Sequence, residues 1–231
     1  GGLENLVLIP GAVGAAPIQN IGADGTEVRE FIAAVDAWDR EAIAMVRLDN
    51  AQCGFSYRDS HFKRAGDRYG VTAVTFALTR RPALRLDYAG VRDELAAMGV
   101  VDPTPATLAG AIARLRRRKL PDPAQVGNAG SFFKNPVVGD ALALALRREH
   151  AGLPAWPAGE GRTKLSAAWL IERAGLKGLR EGDAGISARH ALVLVNHGRA
   201  SGAQLWALAQ RVRDTVRERF GVDLEPEPRV I

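Results

Sequence analysis

Apolar positions along the first tenth of the chain follow no period. Residues 6–25 set Gly11, Gly14, Gly22 and Gly25 among Pro10, Pro17 and Asn20, a density of turn formers that predicts a structured loop instead of a helix or long strand. Residues 27–38 and 41–49 then alternate and carry β-branched side chains on either side of Asp39-Arg40, the pattern of two paired strands. In 69–79, Val71, Ala73, Thr75 and Ala77 alternate with Thr72, Val74, Phe76 and Leu78. Both sets are largely apolar or small, so both faces of that strand are predicted to be substantially buried.

Helical spacing follows. Residues 91–98 are short and amphipathic, and Thr104-Pro105 supplies an N-cap and first-turn pair for a helix through Leu108, Ile112 and Leu115 toward Arg118, with Pro121 and Pro123 as its stop. Helices are expected over 141–148 and 165–174, separated by a Gly/Pro-rich loop at 152–161, and 190–196 reads as a compact apolar strand. Ser201 and Gln204 form a capping box ahead of Leu205, Leu208, Val212, Val216 and Phe220, with Gly221 as terminator. That combination predicts a long helix with one buried face. Strands and helices interleave without a regular βαβ rhythm, which predicts an α+β chain.

Composition narrows the classes. Thirty-one Lys+Arg against 26 Asp+Glu give a formal charge of +5, and 47% hydrophobic with 25% charged residues is ordinary for a globular chain. Cys53 stands alone, which excludes an intrachain disulfide and a Cys-rich metal site. His61, His150, His190 and His197 lack metal-ligand spacing. The apolar run at 6–18 is interrupted by Pro10, Gly11, Gly14 and Pro17 and is shorter than the roughly 20 residues of a membrane helix. Motifs for P-loop, Rossmann, zincin and α/β-hydrolase chemistry do not occur. A start at Gly1-Gly2-Leu3-Glu4 and an end at Val230-Ile231 suggest part of a longer protein.

Three segments concentrate reactive or conformationally special residues. Pro10-Gly11-Ala12-Val13-Gly14 through Asn20-Ile21-Gly22-Ala23 could let backbone N–H groups approach an anion such as a pyrophosphate, or could be a turn cluster. Gly127-Asn128-Ala129-Gly130-Ser131-Phe132-Phe133-Lys134-Asn135-Pro136 reads as a glycine-hinged loop. Ser131 has no local His or Asp, so it suits donation of a proton or hydrogen bond better than nucleophilic attack. Leu224-Glu225-Pro226-Glu227-Pro228-Arg229 places two carboxylates on a proline-stiffened extended backbone. Arg58, in Tyr57-Arg58-Asp59-Ser60, could hold a carboxylate bidentately. The run from Arg114 to Lys119 is a solvated face or a phosphate attractor, and the chain has no RNA- or DNA-reading motif beside it.

Taken together, these blocks, with Gly2-Leu3-Glu4-Asn5-Leu6, Lys119-Leu120-Pro121-Asp122-Pro123, Lys164-Leu165-Ser166-Ala167 and 191–196 in the same order, resemble the UDP-N-acetylenolpyruvoylglucosamine reductase (UDP-N-acetylmuramate dehydrogenase) family along the whole chain. The resemblance implies a tightly but non-covalently bound FAD, NADPH as hydride donor, and UDP-N-acetylglucosamine enolpyruvate as substrate. It implies a cytoplasmic, monomeric bacterial enzyme of peptidoglycan synthesis, with no nucleic-acid partner, membrane span or metal. Ser131 matches the family's proton donor, and Arg58 and Glu227 match the pair that holds the substrate carboxylate and the charge developing beside it. Tyr88 matches the tyrosine that closes over substrate in the longer of the family's two types. Tyr57, Lys119, Asn135 and His190 match substrate contacts, and Gly11, Val13, Gly14, Asn20, Ile21 and Gly22 match contacts to FAD.

The fold implied is the remainder of a vanillyl-alcohol-oxidase-like FAD domain plus an α+β substrate subdomain. Its parts would be residues 1–121, the second FAD subdomain without a preceding first one, residues 122–221 for substrate, and residues 222–231 returning toward the flavin. A related FAD oxidoreductase with another substrate, and a non-catalytic fragment that binds a nucleotide sugar or RNA, are the alternatives.

Overall fold

A computed structural model describes every residue except Asp24, Ala89 and Ile231. The chain is α+β and divides into two compact units, Gly1–Arg116 and Arg117–Ile231. Residue 24, inside the turn-rich opening stretch, and residues 89 and 231 lie outside the description.

The first unit begins with the expected irregular stretch, tightened by 3₁₀ turns at Glu4–Leu6 and Val13–Ala15 and by the two-residue strands β1 (Gly22–Ala23) and β2 (Thr26–Glu27). A further 3₁₀ turn, Val28–Glu30, replaces the start of the predicted strand at 27. Strands β3 (Ile32–Asp39), β4 (Ala44–Asp49) and β5 (Tyr69–Phe76) form an antiparallel sheet in the order β4-β3-β5. The turn after β3 is tied by Asp39, which accepts from the N–H groups of Glu41 (3.0 Å) and Ala42 (3.2 Å) and from the Arg68 guanidinium at 2.6 and 3.0 Å. Those donors, Arg68 foremost, hold the Asp39 carboxyl down at about 2.

Among the described residues, only one face of this sheet is covered, which corrects the expectation for 69–79. Val35, Ala37 and Phe62 lie in a core with the fully buried thiol of Cys53, and Val71, Val74 and Phe76 pack on it, while Thr72, Ala73 and Thr75 are exposed. On the open face, Arg47 donates to both Asp36 oxygens at 2.9 and 2.8 Å and to Thr75 Oγ1 at 3.3 Å, and Trp38 lies opposite Met45. Short side chains such as Ala and Thr read as buried in a pattern, yet tolerate a solvated face equally well. A short helix α1 (His61–Arg64) precedes β5, and α2 (Val91–Ala97) and α3 (Pro105–Lys119) share a separate apolar cluster around Val91, Leu108 and Ile112. Arg116 near the end of α3 donates to the carbonyls of Val7 (2.7 Å) and Asn5 (2.9 Å), so part of the basic run is an internal tie.

Among its described residues, the second unit has two sheets and three helices. Strand β6 (Gly127–Ser131) ends a four-stranded antiparallel sheet with β10 (Arg180–Glu181), β11 (Ala184–Ile186) and β12 (Val193–Asn196), in the order β10-β11-β12-β6. Thus 127–131 is a strand where the sequence suggested a loop. Its glycines and asparagine carry no strand signal, and the ladder comes from β12, more than sixty residues on. Strands β7 (Val137–Gly139), β9 (Arg162–Leu165) and β8 (Ala155–Pro157) form the other sheet, so residue 165 closes a strand and helix α5 (Ala167–Arg173) starts after it. Helix α4 is Asp140–Glu149, and α6 (Gly202–Phe220) carries the expected Ser201/Gln204 box and ends at Gly221 with φ 65°. Leu208, Val212, Val216 and Phe220 of α6 bury one face against Phe133, Leu165, Leu170 and Ile186. Each large side chain so buried contributes about 1.5–3 kcal/mol.

Candidate active site

The residues singled out by sequence fall into two groups, one in each unit. In the first unit, the glycine-rich loop exposes Gly11, Ala12 and Val13. Gly11 has φ +117°, and a Cβ built there would face open space. Ile21 packs on the unit's core, and its N–H and carbonyl bond Ala16 O (3.1 Å) and Val28 N (2.8 Å). Gly22 is confined: a Cβ would stand 2.8 Å from Arg58 Nη1 and 2.8 Å from Thr26 O. Only glycine fits there.

Asn20 behaves differently from its neighbours. It is fully buried, with φ 46°. Its side-chain amide donates to Ser56 O at 2.8 Å and to Glu27 Oε2 at 3.2 Å, and its Oδ1 accepts from Arg29 N at 3.1 Å. Two acceptors on one side and a donor on the other fix the amide orientation.

Tyr57 and Arg58 form the tip of a two-residue turn closed by Ser56 N–H to Asp59 O (3.0 Å) and Asp59 N–H to Ser56 O (3.3 Å). Arg58 sits in the left-handed region, φ 54°, which costs a non-glycine residue about 1–2 kcal/mol. Surrounding bonds maintain it. Its guanidinium donates to Gly22 O and lies 5.2 Å from the Tyr57 ring centroid, and Lys63 Nζ donates to Arg58 O at 3.2 Å. Ser60 caps α1 through Lys63 N–H (3.2 Å) and donates to Ile18 O (2.5 Å), joining this turn to the glycine-rich loop. Ser60 and Lys63 were not among the sequence candidates; a serine three residues ahead of Lys63 at a helix start was the available signal. Tyr88 is half-buried against the α2–α3 cluster, and its carbonyl accepts from Val91 N–H (3.1 Å).

In the second unit, Ser131 is exposed at the end of β6, opposite Val193. Beyond it, residues 132–134 pair with 225–227: Glu227 N–H donates to Phe132 O at 2.8 Å, Lys134 N–H to Glu225 O at 2.9 Å, and Phe133 bridges Pro226. Lys134 and Glu225 add an ion pair. Phe133 turns into the core, almost fully buried, and Arg213 Nε donates to Leu224 O at 3.0 Å. The half-buried Glu227 is thereby set opposite Phe132, one position along a short ladder from Ser131. Asn135 Oδ1 accepts from Ala167 N–H at 2.9 Å, at the first residue of α5.

Lys119 ends α3 and is exposed. His190 is half-buried, and its Nδ1 accepts from Leu192 N–H at 3.3 Å. Burial pushes its pKa below the ordinary imidazole value, and the positive charges of Lys119 and Lys177 push the same way against Glu172. With Nδ1 used as acceptor, the neutral ring carries its proton on Nε2, a donor for an oxygen ligand.

A model of the UDP-N-acetylenolpyruvoylglucosamine reductase C-terminal domain matches residues 122–231. The UDP-N-acetylenolpyruvoylglucosamine reductase of Xanthomonas oryzae pv. oryzae (strain KACC10331 / KXO85) is 57% identical over 232 residues, covering 100% of this chain and 68% of that protein. The chain belongs to this reductase family. The reductase of Xanthomonas campestris pv. campestris (strain 8004) is 59% identical over 231 residues, and the chain spans 66% of its length. A crystal structure of the reductase from Thermus caldophilus matches with a TM-score of 0.65 at 27% identity, over 100% of this chain and 64% of that one.

Proposed function

We propose that this chain acts within an FAD-dependent reductase that converts UDP-N-acetylglucosamine enolpyruvate to UDP-N-acetylmuramate with NADPH, in peptidoglycan precursor synthesis in the bacterial cytoplasm. The observation that carries this reading is the ladder between 132–134 and 225–227, which brings the Glu227 backbone beside the strand end bearing Ser131. The pairing fixes the backbone of Glu227 one position from Ser131, and a hydroxyl held within reach of a developing carbanion can protonate it.

The first unit offers a surface suited to FAD. Its small-residue loop is exposed, Gly11 leaves open space where a side chain would be, and the Gly22 backbone lies directly against Arg58. Gly11, Val13, Gly14, Ile21 and Gly22, with the Asn20 main chain, would hold the group there. FAD held there would supply, after reduction by NADPH, the hydride for the vinyl carbon. Arg58 binds the enolpyruvyl carboxylate, and its fixed charge stabilises the negative charge growing beside it more in the transition state than in the ground state. The family resemblance assigns Glu227 to the substrate carboxylate as well.

Ser131 delivers its hydroxyl proton to the carbon next to the carboxylate and regains one from solvent, so one hydride and one proton are added in all. Tyr57, Tyr88, Lys119, Asn135 and His190 orient the substrate, Lys119 by charge toward the diphosphate and His190 as a neutral donor. Residues 1–121 then form the FAD-binding part, 122–221 the substrate part, and 222–231 the return that presents Glu227.

Rapid mixing of the flavin-loaded protein tests this. Ser131→Ala is expected to leave flavin reduction by NADPH intact and to abolish reoxidation by the enolpyruvyl substrate. Equal loss in both half-reactions would remove Ser131 as proton donor.

A further inference from the structure

We propose that Asn20 is a positioning residue for Arg58, working through the Tyr57–Arg58 turn by its side chain. The inference rests on the role of Arg58 put forward above. Two ties run in parallel from the loop to the turn: Asn20 Nδ2 to Ser56 O at 2.8 Å, and Gly22 O to the Arg58 guanidinium. Residues 20 and 56, and 22 and 58, are each separated by 36 positions. The loop therefore grips the turn at its base and at its tip with matching register.

The chemistry at both ends makes this specific. Arg58 holds a left-handed backbone that its side chain does not favour, in a two-residue turn where asparagine and glycine are the usual occupants. A strained residue persists where its surroundings over-determine it, and the Asn20 bond fixes the carbonyl of the residue that opens the turn. Asn20 itself is left-handed and fully buried, a conformation asparagine tolerates better than most residues. Its remaining hydrogen bonds go to Glu27 and Arg29 N, and Glu27 is in turn paired with Arg29 at 2.8 Å and lies opposite Gly22 in the β1–β2 ladder. The amide thus links three segments, and each of its polar atoms is engaged inward. Its side chain contributes geometry at Arg58, and the cofactor surface is left to the main chain of 20–22.

The test is a double-mutant cycle in the flavin-loaded protein, combined with a nitrogen–proton NMR spectrum of the arginine guanidinium groups. Asn20→Gly suits the left-handed backbone and removes only the side chain, and Asn20→Asp keeps its shape while losing both donors. Either is expected to lower the rate of reoxidation by substrate by roughly ten- to a hundredfold. In the Arg58→Ala background the same change is expected to have no further effect. The guanidinium signal assigned to Arg58 by its loss in Arg58→Lys should exchange slowly in the parent chain and collapse in Asn20→Gly.

Additive effects in the cycle, or an Arg58 signal that survives loss of the Asn20 amide, would overturn the proposal. Absence of substrate turnover in the parent protein would instead overturn the reductase reading, and the guanidinium spectrum alone would still decide whether Asn20 positions Arg58.

Discussion

Asp39 shows how one side chain can set a pH dependence. Arg68 and two turn N–H groups hold its carboxyl near 2, against an ordinary value of 3.8. The ionised form is favoured in the folded state, so its stabilising contribution is complete above about pH 4 and disappears as the pH falls toward 2. Urea unfolding of the parent chain should therefore weaken across that window. Asp39→Asn should be less stable at pH 7 and show a flatter profile between pH 4 and 2; an unchanged profile would dismiss the Arg68 pairing as a source of stability. At the proposed site, Arg58→Ala is expected to reduce substrate turnover by roughly 10²–10³ with flavin retention little altered, as read from the visible spectrum of the purified protein. Arg58 is an instance where the residue type was legible in sequence and the backbone state was not. Its left-handed φ depends on bonds to Gly22 and from Lys63, one of them 36 positions away.

At the level of elements, helix α6 was fully written in its own residues. Ser201 accepts from Gln204 N–H at 3.2 Å, Gln204 answers at Ser201 N–H with 2.8 Å, and Gly221 supplies the left-handed stop. Ser201→Ala should lower stability by about 1 kcal/mol and Gly221→Ala by about 1–2 kcal/mol, both measurable by thermal denaturation. Strand β6 is the opposite case. Nothing in Gly127-Asn128-Ala129-Gly130-Ser131 favours a strand, and its place is decided by Val193, Val195 and Asn196 across the ladder. The same holds for the site: Glu227 was legible as a carboxylate on a stiff segment, while its pairing with 132–134 was set by Pro226 meeting Phe133. Phe133→Ala should cost about 3–5 kcal/mol through the buried ring. It should also slow substrate-dependent reoxidation, because the ladder loses its anchor; a stability loss with full activity would separate the two roles.

For the molecule as a whole, each unit has a core of its own. The cluster built around Phe133, Leu170 and Val212 lies wholly in Arg117–Ile231, and those around Val35 and Leu108 lie wholly in Gly1–Arg116. A fragment of residues 117–231 should consequently unfold in a single cooperative thermal transition, and a broad, non-cooperative melt would show that its core is insufficient.

The segregation of cores also gives the lone cysteine a practical meaning. Cys53 is completely enclosed in the first unit, and burial lifts its thiol to about 11. A maleimide probe therefore meets almost no thiolate in the native chain. The sequence has no second cysteine to confuse the signal. Labelling at neutral pH becomes a clock for the opening of that unit alone: the rate at which the thiol is captured measures how often Gly1–Arg116 comes apart, whatever the other unit is doing. Nature has placed a single reporter where the β4-β3-β5 sheet must yield before it can speak.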